Sequence, residues 1–162
     1  KVGDEFPMLS QRSMHYFRRI AELVLAPVLA DDHVHIKRVA TSRAASFVKV
    51  AVDTYRSGED VIAACKPLLY EFRTYTSRTI ALVKYHSELE SYIREALAPA
   101  PSRSVRRVDV YREEHQARVI VERGTIAQFL GRKGMNAAVA SKLTGYGLVL
   151  VDEGDLGKVG GA

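Results

Sequence analysis

Two glycines three residues apart, Gly131 and Gly134, enclose Arg132 and Lys133 in the run FLGRKGMN, with apolar stretches of helical spacing on either side. Glycines at both ends of a four-residue turn let a ligand approach the backbone closely, and the enclosed cations attract phosphate. A helix that starts directly after such a turn adds its own N-terminal amides to the anion site. Loops of this kind clamp the backbone of single-stranded nucleic acid while the bases lie in an apolar groove. Glycines at this spacing also occur in plain helix-to-helix turns with solvated charges, so the surroundings of the loop have to decide between the two. The candidate RNA contacts are Gly131, Arg132, Lys133, Gly134, Met135 and Asn136.

Other chemistry-bearing residues are arranged less tellingly. Of the histidines His15, His33, His35, His86 and His115, only His33 and His35 form a close pair. On a strand they share a face, yet no third ligand stands at a metal-site spacing, so no metal is expected. Glu113-Glu114 and Glu88 with Glu90 are paired carboxylates, but they lie in turn and helix positions with no apolar pocket to raise a pKa, which suits exposed charge. Ser10, Ser13, Ser87 and Ser141 offer no nucleophile elbow, and no Gly-x-x-x-x-Gly-Lys-Ser/Thr loop is present to hold a nucleotide. Neither catalysis nor a cofactor is expected. Cys65, the one cysteine, excludes an internal disulfide and fits a reducing compartment; in the run Ala63-Ala64-Cys65 it reads as a small buried contact. Tyr70, Phe72, Arg73, Tyr75 and Arg78 form an aromatic and basic cluster that either stacks bases or, as near-helical spacing favours, packs in a core and meets another protein.

The elements that must position these residues follow from periodicity. The 162 residues, 47% of them hydrophobic, suffice for one compact domain or two small ones, and a net charge of +5 modestly favours phosphate-bearing partners. Met14, Phe17, Ile20, Ala21, Val24 and Leu25 mark an amphipathic helix. Val34 to Val39 and FVKVAV predict a pair of antiparallel strands, and a helical section from Asp60 to Phe72 is interrupted at Pro67. TIALVKY predicts a buried strand, and HSELESYIREALAP a helix that ends at the Pro-rich APAPSR. Beyond it come a strand over Val105–Tyr111, the charged turn REEH, the strand ARVIVE, a helix ending in GRKG, the helix NAAVASKLTG and the strand LVLV. The halves repeat one order of elements, which predicts a duplicated α+β unit with helices on one face of a small sheet. KVGDEFP carries no signal-peptide or transit pattern, and no apolar run reaches membrane-spanning length, so no membrane association is expected. A chain starting at Lys1 is expected to be a processed product or a piece of something longer.

At this point the residues resemble a known family. FLGRKGMNAAVASKLTGYGLVLV is similar to the second KH domain of the NusA family of bacterial transcription factors: Leu130-Gly131-Arg132, Gly134, Asn136, Val139-Ala140, Leu143-Thr144-Gly145 and Tyr146 match its pattern, with Tyr where the family has Trp. IREALAPAPSRSV resembles the family's linker between KH domains, HVHIKRVA and FVKVAV its first KH strands, and MLSQRSMHYFRRIAEL the stretch that joins an upstream barrel to them. One departure stands out. Where the first KH domain of the family reads Asp-Pro-Val-Gly-Ala-Cys and then carries its own Gly-x-x-Gly loop, Cys65 is followed by KPLLYEFRTYTSR without a glycine, and the interval to Ile80 is several residues short.

The resemblance implies two tandem prokaryotic-type (type II) KH domains: a lead-in with an amphipathic helix over residues 1–30, a degenerate first KH domain over 31–86, a second over 87–152 with its opening helix and clamp, and a flexible tail over 153–162. It implies a non-enzymatic single-stranded RNA binder in transcription elongation, termination or antitermination, associated with RNA polymerase or another large ribonucleoprotein assembly. No small-molecule substrate is implied. The location would be the bacterial cytoplasm, or an organelle (plastid or mitochondrion) for a nuclear-encoded chain. The alternative is a structural subunit of an organellar RNA polymerase or ribosome, in which the KH fold mainly makes protein contacts.

Overall fold

The computed structural model describes residues 10–30, 34–42, 46–54, 59–71 and 79–156. The chain divides into two compact units, 1–86 and 87–162. His33, Phe72, Arg73, Tyr75 and Arg78 lie outside the described residues.

In the first unit, helix α1 (Ser10–Val24) is followed by the short α2 (Ala26–Leu29), with Pro27 in its first turn, where a missing N–H costs nothing. Phe17, Ile20, Ala21, Val24 and Leu25 recur at helical spacing and are all buried. They pack in one core with Val34, Ile36 and Val39 of β1 (Val34–Thr41) and Val48, Val50 and Val52 of β2 (Phe47–Thr54). β1 and β2 are antiparallel, with a register shift between Ile36 and Arg38, and β3 (Thr79–Lys84) pairs parallel with β2. A parallel pair needs a crossover. Here α3 (Glu59–Cys65) and a 3-10 turn at Lys66–Leu68 lie within it, the turn carrying Pro67, where the sequence predicts the helix to be interrupted.

The second unit repeats this topology. α4 (Leu89–Ala96) opens it, capped by Glu88, whose carboxylate accepts from the Ser91 N–H and hydroxyl. β4 (Val105–Tyr111) and β5 (Gln116–Val121) are antiparallel, and β6 (Gly147–Asp152) pairs parallel with β5. The crossover from β5 to β6 is made by α5 (Ile126–Leu130) and α6 (Met135–Thr144). Each unit is thus α+β, a three-stranded sheet with order β1-β2-β3 or β4-β5-β6 and its helices, the arrangement of two tandem type II KH domains. Ala117, Val119 and Val121 alternate along β5 toward one face and are fully buried.

β2 departs from simple alternation. Val48, Val50 and Val52 face the helices, yet Lys49 on the opposite face is 0% exposed. Its register neighbours are Ala40 on β1 and Ala81 on β3, small residues that leave room for the long stem, and its ammonium lies 5.5 Å from the centre of the Phe47 ring. Loss of hydration lowers Lys49 from 10.5 to about 7.

Between about pH 7 and 10 the unfolded chain therefore binds more protons than the folded one, and stability rises with pH across that window. Burial acts the other way on Cys65, raising its thiol from 9.0 to about 11, so this group withdraws stability only at higher pH. The melting temperature is expected to climb between about pH 6.5 and 8.5, and Lys49→Met to flatten that climb; an identical slope in the variant would clear Lys49 of responsibility. Cys65, buried and protonated, should react with iodoacetamide only after unfolding, and fast labelling of the native chain would contradict this placement.

Candidate nucleic-acid interface

The loop of interest hangs on a short helix that could not stand alone. α5 has five residues, so its position is set by packing and by its ends. Phe129 is its fully buried anchor, while Leu130 beside it is 40% exposed. At the N-terminal end the Thr125 hydroxyl donates to Glu122 O at 2.6 Å. The preceding turn is pinned by carboxylates from the end of β6: the Arg123 N–H donates to Glu153 Oε2 and the Gly124 N–H to Asp152 Oδ2, both at 2.9 Å. Arg106 bridges Glu122 Oε2 at 3.3 Å and Glu153 Oε1 at 3.4 Å. The ion pairs are half-exposed and contribute little energy, but bonds from N–H groups to ionised acceptors are directional and hold the turn in one shape. Residues from Glu153, expected as tail, thus form a 3-10 turn through Asp155 that clasps the entry to α5.

From α5 the backbone leaves the right-handed region at three of four positions. Gly131 has φ 73° and ψ 178°, Lys133 φ 55° and ψ 24°, and Gly134 φ 72° and ψ 9°. The Gly131 N–H still donates to Ala127 O, and the Gly134 N–H closes a turn onto Gly131 O, both at 3.0 Å. Lys133 is the non-glycine member of this set, and the left-handed region costs an L-residue roughly 1–2 kcal/mol. Arg132 and Lys133 are exposed, Met135 half-buried. α6 then begins at Gly134 with no side chain capping it and no acidic residue in its first turn. A helix N-terminus without a side-chain cap and two exposed cations lie together, next to the exposed Leu130, and this is an arrangement that accepts a phosphodiester backbone.

Asn136 is placed differently from the rest of the predicted set. It is 4% exposed, and its Nδ2 donates to Leu97 O and to Phe129 O, each at 2.9 Å. Since both neighbours are carbonyl acceptors, the amino side of the amide has to face them. Of the expected RNA contacts, Asn136 has its side chain turned inward, beneath the loop. Leu143 and Thr144 are likewise buried, the Tyr92 hydroxyl donates to Leu143 O at 3.1 Å, and Gly145 ends α6 at φ 79° with its N–H on Ser141 O. These motif positions build the helix. Tyr146 lies 5.6 Å from the His115 ring, at the far end of α6 from the loop.

The first unit carries a different turn at the equivalent place in its topology. From Cys65 (φ −79°) to Leu69 (φ −61°) the ends of the 3-10 turn are right-handed, and Pro67 supplies no N–H. Of the aromatic and basic cluster, Tyr70 is described, and it is exposed. Glu113 and Glu114 are exposed turn residues, His35 is exposed opposite Asp53, and among the described residues no group of three His, Cys, Asp or Glu is disposed to hold a metal. The carboxylate clasp around Arg123 and Gly124 was not legible in the sequence, for its partners lie about thirty residues apart and meet only through the parallel pairing of β5 with β6.

Comparison with known proteins agrees with this geometry. Residues 89–158 match the family model of the NusA-like second KH domain. The chain is 28% identical over 158 residues to the transcription termination/antitermination protein NusA of Halalkalibacterium halodurans, covering 94% of this chain and 40% of that protein. With NusA of Mycobacterium tuberculosis it shares 29% identity over 143 residues, and with that of Bacillus subtilis 27% over 151, covering 85% and 88% of this chain and 40% and 38% of those proteins. The chain thus spans well under half the length of these relatives. The crystal structure of APE1850 has the same fold, with a TM-score of 0.57 at 16% identity over 86% of this chain and 98% of that one.

The two clamp glycines carry unequal constraints. A Cβ on Gly131 would stand 2.6 Å from Asn136 Cβ, in a backbone region that only glycine occupies comfortably, whereas one on Gly134 meets nothing within 4 Å. Gly131→Ala is expected to lower stability by several kcal/mol and Gly134→Ala by about 1–2 kcal/mol. Equal melting temperatures of the two variants would contradict the loop geometry.

Proposed function

We propose that this chain is a single-stranded RNA-binding module that works in transcription elongation, termination or antitermination, and that its second unit holds the RNA backbone. The observation that carries this is the loop Gly131–Gly134: three left-handed residues, two exposed cations and an uncapped ten-residue helix meet at one surface. The bases would lie over apolar surface beside Leu130 and Met135, and recognition of single strands fits a site that needs unstacked bases. The role in transcription is drawn from similarity to NusA proteins, and the bacterial cytoplasm follows from the same source. Contact with RNA polymerase is a proposal on the same basis. Binding without turnover is the activity.

A second reading is favoured by the first unit. Its fold keeps the KH topology, but the turn after Cys65 offers neither a left-handed backbone nor a full set of amides. Such a unit is suited to protein contacts within a larger assembly, such as an organellar RNA polymerase or a ribosome. Capture of the tagged chain's partners with and without RNase separates the two: polymerase subunits or ribosomal proteins retained after RNase favour the assembly role, and their loss favours the free RNA binder.

Arg132→Asp with Lys133→Asp puts two negative charges where phosphates must approach. Affinity for single-stranded RNA is expected to fall at least about tenfold, and the slope of log affinity against log salt to shrink by about 1.4, two phosphate contacts at about 0.7 each. Surface substitutions of this kind change stability by about 0.5 kcal/mol or less. Matching reversals at Arg73 and Arg78 should cost far less. Equal losses from both pairs, or equal affinity for a perfect RNA duplex, would defeat the single-clamp proposal.

A further inference from the structure

We infer that Asn136 is the positioning residue of the clamp: it sets the loop's shape from below and acts on RNA through Arg132 and Lys133, not by touching the ligand. This rests on the RNA-clamp function proposed above.

The geometry is that of a strut among three chain segments. Nδ2 of Asn136, in the first turn of α6, reaches Phe129 O in the last turn of α5 and Leu97 O at the C-terminal cap of α4. Phe129 O is one of the carbonyls that a helix end leaves without an intrahelical partner, and in five-residue α5 nearly every carbonyl is of that kind. The amide therefore caps the helix on which the loop hangs, and does so from the helix at which the loop arrives. On the other side the backbone of Gly131 rests against Asn136, near enough that no side chain fits between them. Loop entry and loop exit are thus held at a fixed separation by one side chain, and Arg132 and Lys133 are exposed on the span between.

The remaining atom of the amide points to the same role. Oδ1 is buried without a hydrogen-bond donor among the described residues, and a buried orphan acceptor opposes folding. A residue whose task was only to fill this space would be better apolar. What distinguishes asparagine here is a two-proton donor short enough to sit under a glycine, and its two protons are both used.

Asn136→Leu keeps the site filled and removes both donors, and Asn136→Ala removes them and leaves a gap. Each would be combined with Arg132→Ser plus Lys133→Ser in a cycle, with affinity read by fluorescence anisotropy on a labelled single-stranded RNA dodecamer across a salt series, at a temperature where circular dichroism shows the variants folded. Asn136→Leu should bind at least about fivefold more weakly and with a reduced salt slope, and in its background the two serine substitutions should cost less than about twofold. Hydrogen exchange should speed up at Arg132 to Met135 while Val139 to Leu143 stay protected. Unchanged affinity in the folded Asn136→Leu protein would overturn the inference by showing a filler, and strictly additive losses would overturn it by showing an independent contact. If Asn136→Ala does not fold, Asn136→Leu and the exchange measurement still decide. Should the serine pair have no effect in the otherwise native chain, the RNA-clamp function itself fails, whatever Asn136 does.

Discussion

An α-helix that must end, turn and hand over to another helix within four residues leaves carbonyls behind it and amides ahead of it with no partners of their own. In the second unit this is resolved by a backbone that enters the left-handed region at Gly131, Lys133 and Gly134, and by one amide side chain, Asn136, that takes up the carbonyl left at Phe129. At the start of α6 the Gly134 and Met135 N–H groups turn back onto Gly131 O and Arg132 O, and no side chain caps the helix. The turn that is difficult to build also carries two exposed cations, Arg132 and Lys133. Strain at Lys133 and burial of an orphan oxygen at Asn136 are both tolerated there, and such costs collect where a backbone is held in readiness for a ligand.

The first unit shows that the fold does not require this solution. Its sheet has the same order and the same antiparallel and parallel pairings, yet after Cys65 its chain passes through a right-handed 3-10 turn at Lys66–Leu68. Such a turn needs no glycine. KH topology and clamp are therefore separable, and one chain carries the topology twice while presenting the left-handed loop in its second unit.

Polar side chains position much of the rest. Tyr92 ties α4 to the end of α6, Arg94 donates to Val105 O at the start of β4, and Asp152 and Glu153 hold the turn that leads into α5. Each donor reaches a backbone carbonyl or each acceptor a backbone N–H, so each bond specifies where a segment lies and not merely that it is buried. Lys49 acts differently: it is buried on the face of β2 opposite the helices, and its ionised form opposes folding below neutral pH.

Much of the architecture was legible in the residues alone. Helical spacing from Phe17 to Leu25, alternation through Val48, Val50 and Val52, and the Gly-x-x-Gly run between apolar segments are local patterns, and local periodicity is what a one-dimensional string records. The absence of glycine after Cys65 likewise announced a turn of another kind, and the structure has one. Tertiary contacts decided the rest. The inward direction of the Asn136 side chain cannot be read from its place two residues after the loop, because it depends on Leu97, thirty-nine positions away. Glu153 stands at the start of a Gly-rich polar stretch without periodicity, and its carboxylate is held by the Arg123 N–H, which only the pairing of β5 with β6 brings near. The burial of Lys49 has no local signature, for whether a strand's second face meets water depends on tertiary packing.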